Sequence, residues 1–415
     1  MKWVIRSAII ITLLFGVITF LDTRNKNGKF DLVASVGAAT TGYTEYGACT
    51  FPTAVSPTLE ETAWRLFVAA NCPTKRNKVV WEDWVEQLQL YPATGVIGGV
   101  ASAANPKRLH GSPLARAVIG RLSGPRALLA PATECQQMQA SNAPPNVTPT
   151  ATVCEEARLN PDAAAFVTTN KYQVRPGQTA AAQKGIDIEF PRPAIEVKVD
   201  WIPATDFNPP FTCSNPPVGV HVEMIDGACY AMAGMHISSK LLKNWVWATF
   251  EPQSMLTNPL RCITFGDCND PWGSIPAKSS GGSSGFTSQS PAIQYLMKQA
   301  NLASEFSNYR LDGVQVDFTT ANAAPTLLGN SIIEGENAGL KRDQASCITC
   351  HSVSSIKNDG TDAFGAVFIN LVSDPSTIPK GAQYNIPTGW IARDFVWSLA
   401  FGCPDPTKSG EQPCH

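Results

Sequence analysis

The chain has 415 residues, 44% of them hydrophobic and 16% charged, and a formal net charge of −2. That balance excludes a strongly basic nucleic-acid binder and any partner held mainly by opposite charge. Gly (31) and Pro (32) are too few for a disordered chain but enough for many turns, and the length allows two or three domains or one large one.

At the N-terminus, Lys2 and Arg6 precede an apolar run from Ser7 to Leu21. The run suits a signal-peptide core better than a free membrane span, which needs about 20 residues. Phe20-Leu21-Asp22 offers no small-x-small cleavage pattern. Residues 1–24 are therefore predicted to be either a removed signal peptide or a retained membrane anchor. In both cases the body is exported, to the periplasm or beyond. Cysteine usage agrees with export. Of the 12 cysteines, Cys347 and Cys350 stand apart, and the other ten form an even set expected to pair as disulfides. Short loops favour neighbours: Cys49–Cys72, Cys135–Cys154, Cys213–Cys229, Cys262–Cys268 and Cys403–Cys414.

From Ser56 the sequence "SPTLEETAWRLFVAANCP" reads as a helix, with Thr58 and Glu61 as a capping box and Trp64, Phe67 and Val68 on one stripe. Trp81 and Trp84 follow in "VVWEDWVEQLQL". Residues 92–185 are rich in Ala, Pro and Asn and read as irregular covering loops with a few short helices. From Ala194 the pattern changes. "IEVKVDW" alternates strictly, with Ile195, Val197, Val199 and Trp201 on one face. "VGVHVEMI" repeats the alternation through Val218, Val220, Val222 and Met224, and "YAMAGMHIS" and "NWVWATFE" follow. These four predicted strands argue for an antiparallel meander or sandwich. "SSGGSSGFTSQSP" reads as a flexible loop. Its Gly281–Gly285 match to a nucleophile-elbow pattern lacks the strand and helix that such an elbow needs. Ser290 and Pro291 then start a helix in "SPAIQYLMKQANLA", and "APTLLGNSIIEGEN" also reads as helical.

The sequence "CITCH" at Cys347–His351 has the haem-attachment spacing. Thiols at i and i+3 stand one helical turn apart and can form thioethers to one haem, and the adjacent histidine then reaches the iron. A thioredoxin-like reading wants a βαβ context, and a zinc reading wants a second Cys/His pair; neither is present. The expected cofactor is one covalent haem c, with His351 as proximal ligand. No methionine follows His351, and only His415 lies downstream. A distal ligand would then come from upstream. The candidates are His236 or Met235 in "AMAGMHISS", with Met232, His221 and Met297 behind them, or else the sixth position is open. Met224 and Met232 read as core, and His221 as a surface residue beside Glu223.

"AWRLFVAANCP…VVWEDW", "AIEVKVDW", "GMHISSKLLKNWVWATFEP", "LGNSIIEGE", "CITCH" and "DFVWSLAF" together resemble a family of exported bacterial single-haem cytochrome c-domain proteins without an established reaction. The resemblance implies haem binding and export and leaves catalysis open. It falls on His236, Trp245, Trp247, Glu251, Asn330, Glu334 and Trp397. The extra cysteines and the long 92–185 segment depart from it.

The expected fold class is α+β: a central antiparallel sheet or sandwich with N-terminal helices and a C-terminal haem-bearing helical segment. The expected regions are 45–190 (helical and irregular), 191–275 (sheet) and 286–415 (haem-bearing), with 191–415 as one packed unit. The expected function is electron transfer by a monohaem c-type cytochrome. The alternatives are a haem oxidoreductase with an open sixth iron site, or a haem-based binder of small ligands. The expected partner is a redox protein or a small molecule, and not a nucleic acid.

Overall fold

The computed structural model describes residues 47–76, 78–91, 109, 135–137, 147–148, 151–252, 270, 272–276, 286–302, 304–330, 332–334, 345–363 and 383–402, together with two short strands near the N-terminus. Those strands, Ile11–Leu13 (β1) and Gly16–Ile18 (β2), pair antiparallel. The rest of the expected leader or anchor lies outside the described residues. No helix among the described residues is long and apolar enough to cross a membrane.

Helix α1 (Leu59–Ala70) begins where the sequence indicates, with the Thr58 hydroxyl accepting from Glu61 N. Only half of the predicted capping box forms, because the Glu61 carboxylate turns to Arg65 at 2.8 Å. A 3-10 turn, Val80–Asp83, leads to strand β3 (Val85–Glu86) and helix α2 (Gln87–Leu90). After β4 (Gln136–Gln137) come β5 (Thr152–Leu159), α3 (Pro161–Thr169) and α4 (Arg175–Gln183). The sheet continues with β6 (Ile195–Pro203), β7 (Val222–Ile225), β8 (Ala228–Ser239) and β9 (Val246–Pro252). β10 (Ser274–Pro276) pairs with β11 (Phe286–Gln289), and α5 (Pro291–Gln299) starts behind the Ser290 cap. β12 (Tyr309–Gln315), α6 (Cys347–His351) and the pair β13 (Ser355–Lys357) and β14 (Trp390–Ala392) complete the described elements.

The fold is α+β, built on a mostly antiparallel eight-stranded sheet in the order β12-β9-β8-β6-β5-β3, with β4 on β5 and β7 on β8. The sheet is not confined to 191–275. It takes β3–β5 from the segment before and β12 from the segment after. Within 92–185 the short helices α3 and α4 agree with the expectation of covering loops with a few short helices, and the strand β5 departs from it. In β5, Glu155 and Glu156 are consecutive and both buried, so no polar/apolar alternation marks the strand. Each has its own partner: Lys198 at 2.9 Å for Glu155, and Arg158 at 2.6 Å with Trp201 Nε1 at 3.0 Å for Glu156. "VGVHVEMI" is a strand only from Val222. Gly219 has φ +76°, and Val218 and Met224 are exposed. "APTLLGNSIIEGEN" is extended up to Asn330 and has a single helical turn at 332–334.

The two faces of the sheet differ. On one, Val197, Val199, Trp201, Met235, Ile237, Ala248, Phe250 and Leu311 join α1 in the largest core. The Phe67 and Phe250 rings pack tilted at 4.4 Å, and those of Trp81 and Trp201 at 6.2 Å. The other face carries Glu155, Lys198, Asp200, His236, Thr249 and Glu251, which cross-strand pairing brings side by side. Trp247 continues that row beside Thr249 and belongs to a second core with Ile348, Ile356 and Val396.

Three of the five predicted disulfides form: Cys49–Cys72, Cys135–Cys154 and Cys213–Cys229. The Cys262–Cys268 and Cys403–Cys414 pairs lie outside the described residues, as does the Gly281–Gly285 match.

Candidate functional site

The segment Cys347–His351 folds as a single helical turn beside the polar face of the sheet. Gln315, at the end of β12, fixes its start. Its side-chain carbonyl accepts from Ile348 N at 2.9 Å, and its amide donates to Ser346 Oγ at 3.0 Å and Thr326 Oγ1 at 2.7 Å. Cys347 and Cys350 are half-buried and not bonded to each other, unlike the other cysteines among the described residues. Burial pushes the Cys347 thiol well above its ordinary range and Cys350 up to about 12, and the Glu334 carboxylate adds to both. These are protonated thiols, not the low-pKa thiolates of redox exchange.

His351 is held from two sides. Its Nδ1 donates to the Phe395 carbonyl at 2.7 Å, and its ring lies 4.5 Å from that of Trp247. Burial lowers its pKa to about 4, only partly opposed by the Phe395 hydrogen bond, so the ring is neutral and Nε2 keeps its lone pair. The Phe395 carbonyl is presented by two successive left-handed residues, Asp394 (φ +51°) and Phe395 (φ +68°). Such conformations are uncommon for a bulky side chain and persist only where the surroundings hold them. Here Lys240 Nζ reaches Asp394 Oδ1 at 2.5 Å, and Phe190 N donates to Asp394 Oδ2 at 2.8 Å.

His236 sits on the same polar face, paired across the strands with Lys198 and Thr249. Its Nε2 stands 3.3 Å from Glu334 Oε1 without the alignment of a hydrogen bond. Burial lowers its pKa well below the usual range, and the Lys198 ammonium adds to that. Asn330 locks the covering segment onto the sheet. Its Nδ2 donates to Thr249 Oγ1 at 3.0 Å and Phe250 O at 3.1 Å, its Oδ1 accepts from Ile332 N at 2.9 Å, and its own N–H donates to Glu334.

The structure thus brings together Cys347, Cys350, His351, His236, Glu334, Trp247 and Asn330. Met235 is not part of the group. It points to the α1 face, where Asn71 Nδ2 meets its sulfur at 3.6 Å. Met232 and Met297 are core residues of that same face, and Met224 is exposed rather than core. His221, read from the sequence as a surface residue, is buried between Glu82 and Glu305. Glu251 faces Arg310 at 3.5 Å, and Trp245 and Trp397 are buried.

Sequence reading missed Glu155, Lys198, Lys240, Gln315 and Asp394. Lys198 and Glu155 sit on regular strand positions and could have been found by asking which charged residues the sheet must bury. The role of Phe395 rests on its backbone carbonyl, which leaves no side-chain signature. No protein-family model, no curated protein and no solved structure matches this chain.

Proposed function

We propose that the chain is an exported c-type cytochrome that carries one haem on Cys347 and Cys350, with His351 Nε2 as proximal ligand, and that it transfers electrons. The observation that carries this reading is the 2.7 Å bond from His351 Nδ1 to the Phe395 carbonyl. It fixes the tautomer, holds the ring plane and leaves Nε2 as the ligand atom, which is how a metal-binding histidine is oriented by its outer neighbours. The residues present fit the group: two unbridged thiols one turn apart, a neutral imidazole, and a second, half-buried imidazole, His236, on the adjoining strand face. When bound, the haem supplies one-electron chemistry. The chain's own residues orient the imidazole (Phe395, Trp247), anchor the attachment turn (Gln315) and offer His236 on the distal side. The three disulfides support export. The partner would be a redox protein or a small molecule.

A second reading, a haem oxidoreductase with an open sixth position, has one observation in its favour. His236, Glu334, Lys198 and Glu155 put proton-holding groups at the site, which a simple electron carrier does not use. The decisive experiment is haem staining of a denaturing gel. Wild type is expected to stain and the Cys347→Ala/Cys350→Ala protein not to. A stained band from the double variant overturns the assignment. Absorption spectra with and without CO then separate the two readings: six-coordinate low-spin iron fits the carrier, and a CO-reactive high-spin iron the oxidoreductase.

A further inference from the structure

On the opposite, α1-packed side of the sheet lies a second constellation. His221 stands at the start of the β7 segment. Its Nε2 is 3.1 Å from Glu82 Oε1, in the 3-10 turn Val80–Asp83, and its Nδ1 is 2.8 Å from Glu305 Oε1, in the 3-10 turn Ser304–Phe306. Glu223, two residues on, brings a third carboxylate: one ligand atom each from Glu82, His221 and Glu223 lie within 4.8 Å of one another. The His221 and Glu82 side chains are nearly sealed, 7% and 2% exposed, while Glu223 at 17% opens toward solvent.

We propose that Glu82, His221 and Glu223 bind one divalent cation of zinc's class, with Glu305 orienting the imidazole from behind. The contact between Nε2 and Glu82 carries the argument. Nδ1–H donated to Glu305 would leave a lone pair on Nε2 facing a carboxylate oxygen, and that contact is repulsive unless a positive centre lies between them. A proton or a metal ion could fill that place. A proton bridges two atoms and has no use for a third, yet Glu223 converges on the same point. Three carboxylates face one imidazole here.

The His221–Glu82 distance fits a metal, and Glu223, whose donor atom lies within 4.8 Å of the other two, would close in on binding. Ligand bonds of about 2.0–2.2 Å put neighbouring donors about 3 Å apart, the separation already found between His221 and Glu82. A neutral imidazole with two carboxylates suits zinc, and three protein ligands leave a position for water. The outer neighbours are in place as well. Glu305 engages the second ring nitrogen, as outer carboxylates do at metal-bound histidines. The ring lies nearly parallel to Phe306 at 4.9 Å, which restricts its rotation, and His221 N donates to Tyr309 Oη at 3.3 Å, which fixes the backbone. On binding, the proton shared by the imidazole and its carboxylates leaves to solvent and the cation takes its place.

The test compares full-length wild type with Glu223→Gln. This variant leaves the bonds among Glu82, His221 and Glu305 untouched. After stripping with EDTA and equilibration in buffered zinc, wild type is expected to hold one more zinc per chain, bound at least tenfold more tightly than any the variant retains. Zinc held elsewhere, for instance by Cys347, Cys350 or His415, is common to both and cancels. Equal zinc content overturns the proposal, and so does a wild type that takes up none. A measurement on wild type alone guards against a variant that misfolds. Its unfolding temperature should be higher in zinc than in EDTA, because a ligand of the native state stabilises it by mass action. An unchanged unfolding temperature counts against the site.

Discussion

At the scale of single residues, the geometry assigns opposite tasks to the two histidines of the polar face. His351 has its Nδ1 committed to a backbone carbonyl and its ring fixed by Trp247. His236 has no such commitment. Its Nε2 is near Glu334 without a well-formed bond, and the low-dielectric surroundings keep it neutral. A neutral, half-buried imidazole with a lone pair to give is suited to ligate iron or to hold a proton beside it. If the chain carries the proposed haem, His236→Ala is expected to alter its absorption spectrum, turning low-spin iron high-spin. If the iron is already high-spin, the change should appear in the affinity for CO. A folded variant with unchanged spectrum and unchanged CO affinity would make His236 a structural residue. Strand alternation, readable in "AMAGMHISS", already implied that only one of Met235 and His236 can face the site. The sequence did not say which face was which. That is decided by α1, which covers the Met235 side with Phe67 and Asn71.

At the scale of elements, legibility followed the burial pattern. β6, β8 and β9 could be read because one of their faces is uniformly apolar. β5 and β12 could not, because they bury charge: Glu155, Glu156 and Arg158 in one, Arg310 and Asp312 in the other. A period-2 hydrophobic signal disappears when both faces of a strand are covered and ionic partners replace apolar ones. The junction between the sheet and the segment covering it offers a direct test of how the site is assembled. Gly234 on β8 lies directly under Asn330. A Cβ added there would come within 2.9 Å of Asn330 Oδ1 and 3.1 Å of Nδ2. Asn330 is buried and cannot retreat without loosening its bonds to Thr249, Phe250 and Ile332. Gly234→Ala should therefore destabilise the protein by about 1–3 kcal/mol, the usual cost of overpacking a filled site. Chemical denaturation measures it. A loss under about 0.5 kcal/mol, the range of a neutral surface change, would mean that Asn330 is not held as tightly as its bonds imply.

At the scale of the whole molecule, a sheet that buries ionisable groups on both faces makes folding stability depend on pH. Glu86, at the β3 edge, is raised from 4.5 to about 7. Burial is the main cause and the Glu156 charge adds to it, opposed by backbone bonds from Leu88 and Gln89 and by Arg158. Glu196 on β6 is raised to about 7, again mainly by burial. A carboxyl whose pKa is higher in the folded state keeps its proton there after the unfolded chain has released it. Stability is then lost as pH rises from about 4.5 to about 7 and is flat above that, because the unfolded state binds fewer protons across the window. His236 and His351 act in the opposite direction, since both are lowered by burial and folding must expel their protons below about 6.5. The slope of the wild-type curve alone is therefore ambiguous, and the difference from a variant isolates one group. Glu86→Gln keeps an oxygen able to accept from Gln89 N and removes the charge. We expect it to be nearly neutral at pH 4, below the ordinary carboxyl value, where Glu86 holds its proton in the folded and the unfolded chain alike. At pH 8 it should be stabilising by about 1–3 kcal/mol, on the scale of 1.4 kcal/mol per pKa unit. The histidine and Glu196 contributions are common to both proteins and cancel. Paired urea titrations at the two pH values decide it. If Glu86→Gln has the same effect at both, the buried carboxyl is not being held protonated by the fold, and another group sets the pH dependence.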